Sequence, residues 1–386
     1  MGRKIERVLI YRLGSMGDTI VALPAFHLIA RAFPNADRRL LTNVPINEKA
    51  AAAAMILDHT DLIQGYFHYP VATRSVKVLL SLWWELLRWR PQVVIYLGSA
   101  RGIESARRDA WFFRACGIFR QIGVPLTEDM QRNRFWTDRG YEEFESERMV
   151  RNISELGEAP VDRAENWDMR FTPEEHAKAD EVLAPAAGRP ILAVSLGTKV
   201  TANNWGRDKW RELLARLGKL YPQYVLAFTG VTSESEVSEF AADGWRATAG
   251  SDSMVINLCG RLTPRESAAC FQRARLFLGH DSGPMHLADA AGAQCVAIFS
   301  ARNPPRRWFP HGSNHRIVYH KVNCTGCGMR ECTVERMKCV TSISVDEVFA
   351  EVRAALDGQA PPARPDWLYR YDADLLRIVE EGVHAS

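Results

Sequence analysis

At 386 residues the chain has room for two or three domains of about 150 residues each, with cores that need neither disulfides nor metals. Its 47% hydrophobic and 25% charged residues are an ordinary globular mixture, which excludes disorder, collagen-like repeats and a coiled coil. Lys plus Arg number 49 against 46 for Asp plus Glu, and a formal charge of +3 over this length gives no electrostatic reason to expect nucleic acid.

The first expected element is a strand at Arg7–Leu13, broken only by Arg12, which turns at Gly14-Ser15-Met16-Gly17 into a helical pattern led by Asp18-Thr19 and running from Ile20 to Phe33. No apolar run reaches the 18 or so residues of a membrane span, and Met1-Gly2 is followed by Glu6 where myristoylation needs Ser or Thr; a cytoplasmic chain is expected. A strand follows at Arg38–Thr42. Val76 to Trp89 reads as an amphipathic helix, and Arg74, Lys77, Trp83, Trp84, Arg88 and Arg90 mix bases with aromatics along it. Both packing on the first sheet and peripheral docking at an anionic membrane surface fit that pattern. Val93–Leu97, ending at Gly98-Ser99, repeats the strand-to-turn unit.

Pro160, Pro173, Pro185 and Gly188 punctuate the stretch from Gly157 to Pro190, with a helix at Glu174–Leu183, and mark the boundary between residues 1–165 and 175–356. In the second half, Ile191–Leu196 ends at Gly197-Thr198, Tyr224–Phe228 at Thr229-Gly230, Leu276–Leu278 at Gly279-His280-Asp281-Ser282-Gly283, and Cys295–Phe299 at Ser300. Strands alternating with helices throughout predict α/β domains with doubly wound parallel sheets. A tail at 357–386 closes with an amphipathic helix around Leu375, Leu376, Ile378 and Val379.

Open α/β sheets bind ligands beyond the carboxyl ends of their strands, and two loops there are rich in glycine and polar groups. In Gly14-Ser15-Met16-Gly17-Asp18, the glycines permit close backbone approach to a ligand, and Asp18 is either a helix N-cap or a carboxylate able to take a proton from a hydroxyl. In His280-Asp281-Ser282-Gly283-Pro284-Met285-His286, Pro284 suits a first helical turn, so Ser282 and Gly283 would turn unpaired N–H groups toward a phosphate. Four of the eight cysteines crowd into Cys324-x2-Cys327-x4-Cys332-x6-Cys339; zinc, a redox-sensitive pair and free buried thiols all fit this loose spacing. Asp372-Ala373-Asp374 imitates a metal-binding D-x-D, but it opens a terminal helix instead of ending a strand.

Val8 to Asp18 followed by Ala22-Leu23-Pro24-Ala25, together with Gly279 to Ala288, resembles glycosyltransferase family 9, the lipopolysaccharide heptosyltransferases and their relatives. The likeness runs in order from about Arg7 to Leu356 and includes Gly197-Thr198, a Trp205-centred segment and the Arg273 to Gly279 lead-in. The resemblance implies a GT-B architecture: two Rossmann-like domains facing across a cleft, the acceptor on the first, a nucleotide-sugar donor, most readily ADP-heptose, on the second, and inversion without a divalent metal. It places the catalytic base on Asp18 and the loop Gly14–Gly17 on the acceptor side. Donor contacts fall on Thr198, Lys199, Asp281, Ser282, Gly283 and His286; Glu234, by its place four residues after the Gly230 turn, is either the ribose contact or an exposed helix-start carboxylate. The acceptor would be a lipid-linked or core oligosaccharide, with Arg101, Arg107 and Arg108 either meeting its phosphates or facing solvent.

One departure stands out. Family members commonly carry a Lys just before the Trp, where this chain has Asn203-Asn204; Lys199, or Arg302, Arg306 and Arg307, are the replacements in view. A nucleotide-sugar epimerase of the same shape and an inactive nucleotide-sugar-binding module remain rivals. A dehydrogenase does not, because Gly14-Ser15-Met16-Gly17 is not G-x-G-x-x-G and no acidic residue ends the strand after it.

Overall fold

The structure, a computed structural model, describes residues 4–43, 52–70, 75–136, 141–251, 253–333 and 335–361. Arg74, Asp372, Asp374 and the terminal helix expected around Leu375, Leu376, Ile378 and Val379 lie outside the described residues.

Strands β1 (Arg7–Tyr11), β2 (Asp37–Asn43), β3 (Gly65–Tyr69), β4 (Val93–Tyr96) and β5 (Arg120–Ile122) form a sheet in the order β3-β2-β1-β4-β5, with every pairing parallel. Val8, Leu9 and Ile10 of β1 are fully buried because helices cover both faces of the sheet, which is why the strand reads as an unbroken apolar run. A short antiparallel pair, β6 (Phe135–Trp136) and β7 (Tyr141–Glu142), precedes the segment that joins the two halves. The second sheet contains β8 (Ile191–Ser195), β9 (Val225–Phe228), β10 (Met254–Asn257), β11 (Leu276–His280), β12 (Cys295–Phe299) and β13 (Arg316–Tyr319). Its order is β10-β9-β8-β11-β12-β13, again all parallel. In each sheet the winding reverses once, between β1 and β4 and between β8 and β11, so the loops that leave β1 and β11 open at the two switch points.

The helical pattern expected over Ile20–Phe33 forms two helices, Met16–Val21 and Leu23–Ala32, that meet at Ala22. Pro24 explains the break: it has no N–H to continue the first helix and suits the opening turn of the second. The helix expected at Glu174–Leu183 starts one residue earlier, at Pro173, behind a Thr172 cap whose hydroxyl accepts from Glu175 N–H at 3.3 Å. The Val76–Trp89 helix turns Leu82 and Leu86 into the first half and leaves Trp84 62% exposed.

The two halves are not joined by a linker alone. One apolar cluster runs through both, taking in Ile20, Leu23 and Ile56 on one side and Phe271, Met285 and Leu287 on the other. Arg265, from the second half and 3% exposed, donates to the carbonyls of Ile56 and Met169, both at 2.9 Å, and to the Glu175 carboxylate at 2.8 Å. Arg306 and Arg307 reach across to Glu147 and Glu142 at 3.5 and 3.3 Å. Removing Arg265 would strand a part-buried carboxylate and the three carbonyls of Ile56, Met169 and Arg170. Arg265→Ala is therefore expected to lower unfolding free energy by about 3–5 kcal/mol in a urea titration; a loss below about 1 kcal/mol would contradict a structural role for this bridge.

Candidate active site

The carboxyl ends of the two sheets open onto one cavity of about 580 Å³. Ser15, Met16, Gly17 and Asp18 line it from the first half. Thr198, Lys199, Glu234, Asp281, Ser282, Gly283 and His286 line it from the second. Of the residues singled out in the first loop, Gly14 alone stands back from the wall: its N–H donates to Asn43 Oδ1 at 2.6 Å, and a side chain there would run into the Asp18 carboxyl carbon at 2.7 Å.

Asp18 is not the helix cap. Ser15 occupies that position, and Asp18, three residues on, accepts from the Ser15 N–H at 2.7 Å and the Ser15 hydroxyl at 3.0 Å through Oδ2. Arg12, which the sequence presents only as an interruption of an apolar run, is 1% exposed beneath it. Its guanidinium donates to the Asp18 carbonyl at 3.2 and 2.9 Å and to the Leu97 carbonyl at 2.8 Å, and lies 3.6 Å from Asp18 Oδ1. The carboxylate is thus fixed from behind by a cation and from the side by the turn, leaving an open face on the cavity.

On the facing wall the helix Gly283–Ala290 begins with Ser282 as N-cap and Pro284 in the first turn. The N–H groups of Ser282 and Gly283 have no acceptor among the described residues and sit where the helix dipole favours an anion. This wall touches the first one: a Cβ on Gly17 would lie 3.0 Å from His286 Cδ2, and one on Gly283 would strike Met16 Cε. Burial pushes the His286 ring down to about 4, with only partial relief from Asp289 and Asp18, so it is neutral near pH 7. The motif's other histidine faces away from the cavity. His280 Nε2 accepts from Trp205 N–H at 3.1 Å and Trp210 Nε1–H at 3.2 Å, which anchors the tryptophan segment to β11.

Asn203 is buried and fully engaged: its amide donates to the Asp281 carbonyl at 2.8 Å and carboxylate at 3.3 Å, and its oxygen accepts from Ser300 Oγ at 2.6 Å. Burial raises the Asp281 carboxyl to about 6, against the opposing pull of Arg302 and Asn203. Thr198 lines the cavity, though its hydroxyl closes a local turn on Val200 at 3.1 Å. Glu234 is buried rather than an exposed helix-start residue. It accepts from Val231 N–H at 3.1 Å, and Gly197 and Gly230 make room for it, since a Cβ at either would collide with its carboxylate.

Of the four cations weighed against the missing lysine, Lys199 and Arg302 line the cavity, whereas Arg306 and Arg307 are spent on the seam between the halves. Arg330, which no motif marks in the sequence, lines it too. Arg101 is held by Tyr11, Tyr96 and Asp109 at 3.1, 3.3 and 2.6 Å, Arg107 pairs with Glu104, and Arg108 stands 3.7 Å from Asp109; none of the three borders the cavity. Cys324, Cys327, Cys332 and Cys339 surround a separate pocket of about 20 Å³, but no three ligating side chains among the described residues are arranged to hold a metal.

Two parallel sheets whose carboxyl edges meet over one polar cavity, a carboxylate on one wall and a helix N-terminus on the other, define the GT-B class of fold. The chain belongs to glycosyltransferase family 9 (heptosyltransferase), whose family model matches residues 107–338. It is similar to the crystal structure of a family 9 glycosyl transferase from Veillonella parvula, at 16% identity over 93% of this chain and 99% of that one, with a TM-score of 0.66. A similar match, 14% identical over 91% and 99% with a TM-score of 0.63, is the ADP-heptose lipopolysaccharide heptosyltransferase II of E. coli. A curated relative, lipooligosaccharide heptosyltransferase 2 of Campylobacter jejuni, is 22% identical over 167 residues, which is 43% of this chain; the match spans about half, 51%, of that relative's length.

The raised Asp281 carboxyl has a signed consequence. The folded state holds this proton more tightly than the unfolded chain, so its contribution favours folding at acid pH and is lost as pH rises through about 6. Asp281→Asn is expected to stabilise the fold by on the order of 1–2 kcal/mol at about pH 7.5, with the gain fading toward about pH 4, as read by denaturant titration. An equal change at both pH values would show that the carboxyl binds its proton no more tightly in the folded chain than in the unfolded one.

Proposed function

We propose that the protein is an inverting, metal-independent glycosyltransferase that moves heptose from ADP-heptose to a lipopolysaccharide core or related glycan acceptor. The observation that carries this reading is the pairing, across one cavity, of an anchored carboxylate at Asp18 with unpaired N–H groups at Ser282 and Gly283. Inversion in a single displacement needs a base beside the acceptor hydroxyl and stabilisation of a departing diphosphate on the opposite side of the sugar. The new bond forms from the acceptor oxygen to the anomeric carbon as the bond to the diphosphate breaks, and Asp18 receives the hydroxyl proton.

In this scheme the turn Gly14–Gly17 shapes the acceptor side, Asp281 holds hydroxyls of the transferred sugar, Glu234 the ribose, and Thr198, Lys199 and His286 flank the diphosphate. Residues 1–165 would act as the acceptor domain and 175–356 as the donor domain. No helix among the described residues is long and apolar enough to cross a membrane. A cytoplasmic enzyme in peripheral contact with the membrane is proposed from the exposed Leu80, Trp84 and Trp111 of the two outer helices and the bases beside them. The names of the E. coli and Campylobacter relatives pair this fold with heptose and with lipopolysaccharide or lipooligosaccharide, which supports the choice of donor and acceptor.

Asp18→Asn is expected to reduce turnover of ADP-heptose by at least about a thousandfold while the calorimetric Kd for ADP stays within about twofold, with wild-type turnover unaffected by EDTA. Near-normal turnover in the variant would remove Asp18 from the reaction, and release of free sugar or epimer without acceptor would replace transfer with another nucleotide-sugar chemistry. Gly197→Ala should weaken ADP binding by about tenfold, because the added methyl occupies the space of the Glu234 carboxylate; unchanged affinity would show that Glu234 does not meet the nucleotide.

A further inference from the structure

The cavity already contains three carboxylates, those of Asp18, Glu234 and Asp281, and a diphosphate would bring more negative charge into it. Such a ligand needs cations, yet the position where the family commonly carries one is filled by Asn203, whose amide is fully used by Asp281 and Ser300. Lys199 and Arg330 border the same cavity and have no ion-pair partner among the described residues. The Arg302 guanidinium is held at 2.8 Å by each of two neutral carbonyls, those of Met329 and Gly328, which orient it without cancelling its charge.

These three cations are not independent. The cysteine-bearing segment 324–333 folds back onto the two loops that border the cavity and is stitched to both. Gly326 N–H donates to the Ala301 carbonyl at 2.8 Å and Gly328 N–H to the Arg302 carbonyl at 2.7 Å, in the left-handed backbone region at φ of 85° and 66°. The Arg330 carbonyl accepts from Ala202 N–H at 3.2 Å and from the Thr201 hydroxyl at 3.0 Å, three and two residues beyond Lys199. The segment thus carries Arg330 to the cavity and, through the Met329 and Gly328 carbonyls, sets the direction of Arg302.

We propose that Arg330 binds the diphosphate of the donor and that segment 324–333 is a built wall of the donor site, replacing with Arg330 and Arg302 the charge that Asn203 lacks; the assignment rests on the nucleotide-sugar function proposed above. A guanidinium can hold two phosphate oxygens at once, so Arg330 on this segment and Arg302 oriented by it suit a diphosphate better than a nucleoside alone.

The test is calorimetric titration of ADP and of adenosine into wild type, Arg330→Ala and Arg330→Lys. Arg330 is exposed and donates no side-chain hydrogen bond among the described residues, so the variants are expected to melt within about 2 °C of wild type. The expected result is an ADP Kd at least about tenfold higher in Arg330→Ala, an unchanged adenosine Kd, and partial recovery in Arg330→Lys. An unchanged ADP Kd overturns the assignment and leaves the nucleotide-sugar reading standing. Equal weakening of ADP and adenosine also overturns it, because the residue would then act on the fold of the wall and not on phosphate. Wild type that binds no ADP overturns both.

Discussion

Gly17 packs so closely against the ring of His286 that even a Cβ there would lie 3.0 Å from Cδ2 and press on the ring, and the site depends on this approach of the two halves. Two helices, one from each sheet, bring their N-termini to the same cavity there, one carrying Asp18 and the other Ser282 and Gly283. The contact tolerates His286 because burial keeps the ring neutral; an imidazolium beside a helix N-terminus would face the positive end of the dipole. A histidine set here by packing and kept uncharged by desolvation borders the anion site without competing for the anion.

Arginines in this molecule do two different jobs, and their partners tell them apart. Arg265, Arg306 and Arg307 pair with carboxylates of the opposite half or the joining segment, so their charge is consumed in holding the halves together. Arg12 and Arg302 are held mainly by backbone carbonyls, which fix geometry and leave the charge to act on a neighbour. For Arg12 that neighbour is Asp18; for Arg302 it is Asp281 and the cavity. Asp281 shows the opposing influences: burial outweighs the arginine and keeps its carboxyl well above the ordinary range.

Much of this was legible in the residues because buried parallel strands are continuous apolar runs that stop at glycine and polar turns. β1, β4, β8, β9, β11 and β12 follow that rule. β3 and β5 do not, for they are the edge strands of the first sheet; Gly-Tyr-Phe-His-Tyr and Arg-Gln-Ile carry polar residues where one flank meets no neighbouring strand. The loops after β1 and β11 were visible as site candidates, and the structure brings both to one cavity. Arg12 was hidden because its burial depends on carbonyls at Asp18 and Leu97, the latter 85 residues away in sequence. Arg330 was hidden for the same reason on a larger scale, since its place follows from contacts with Thr201, 129 residues earlier. Of the two readings of Asp18, the helix cap falls away because Ser15 and Asp18 both suit a helix start and only the hydrogen bonds decide between them.

The central claim is that the two switch-point loops form one site, with the diphosphate on the helix N-terminus facing Asp18. A crystal structure with ADP bound tests it most directly. The account predicts phosphate oxygens within about 3 Å of the Ser282 and Gly283 N–H groups and the ribose toward Glu234, with the outer phosphate on the side of the cavity that Asp18 faces. ADP seated outside this cavity, or with its phosphates turned away from the helix start, would contradict it.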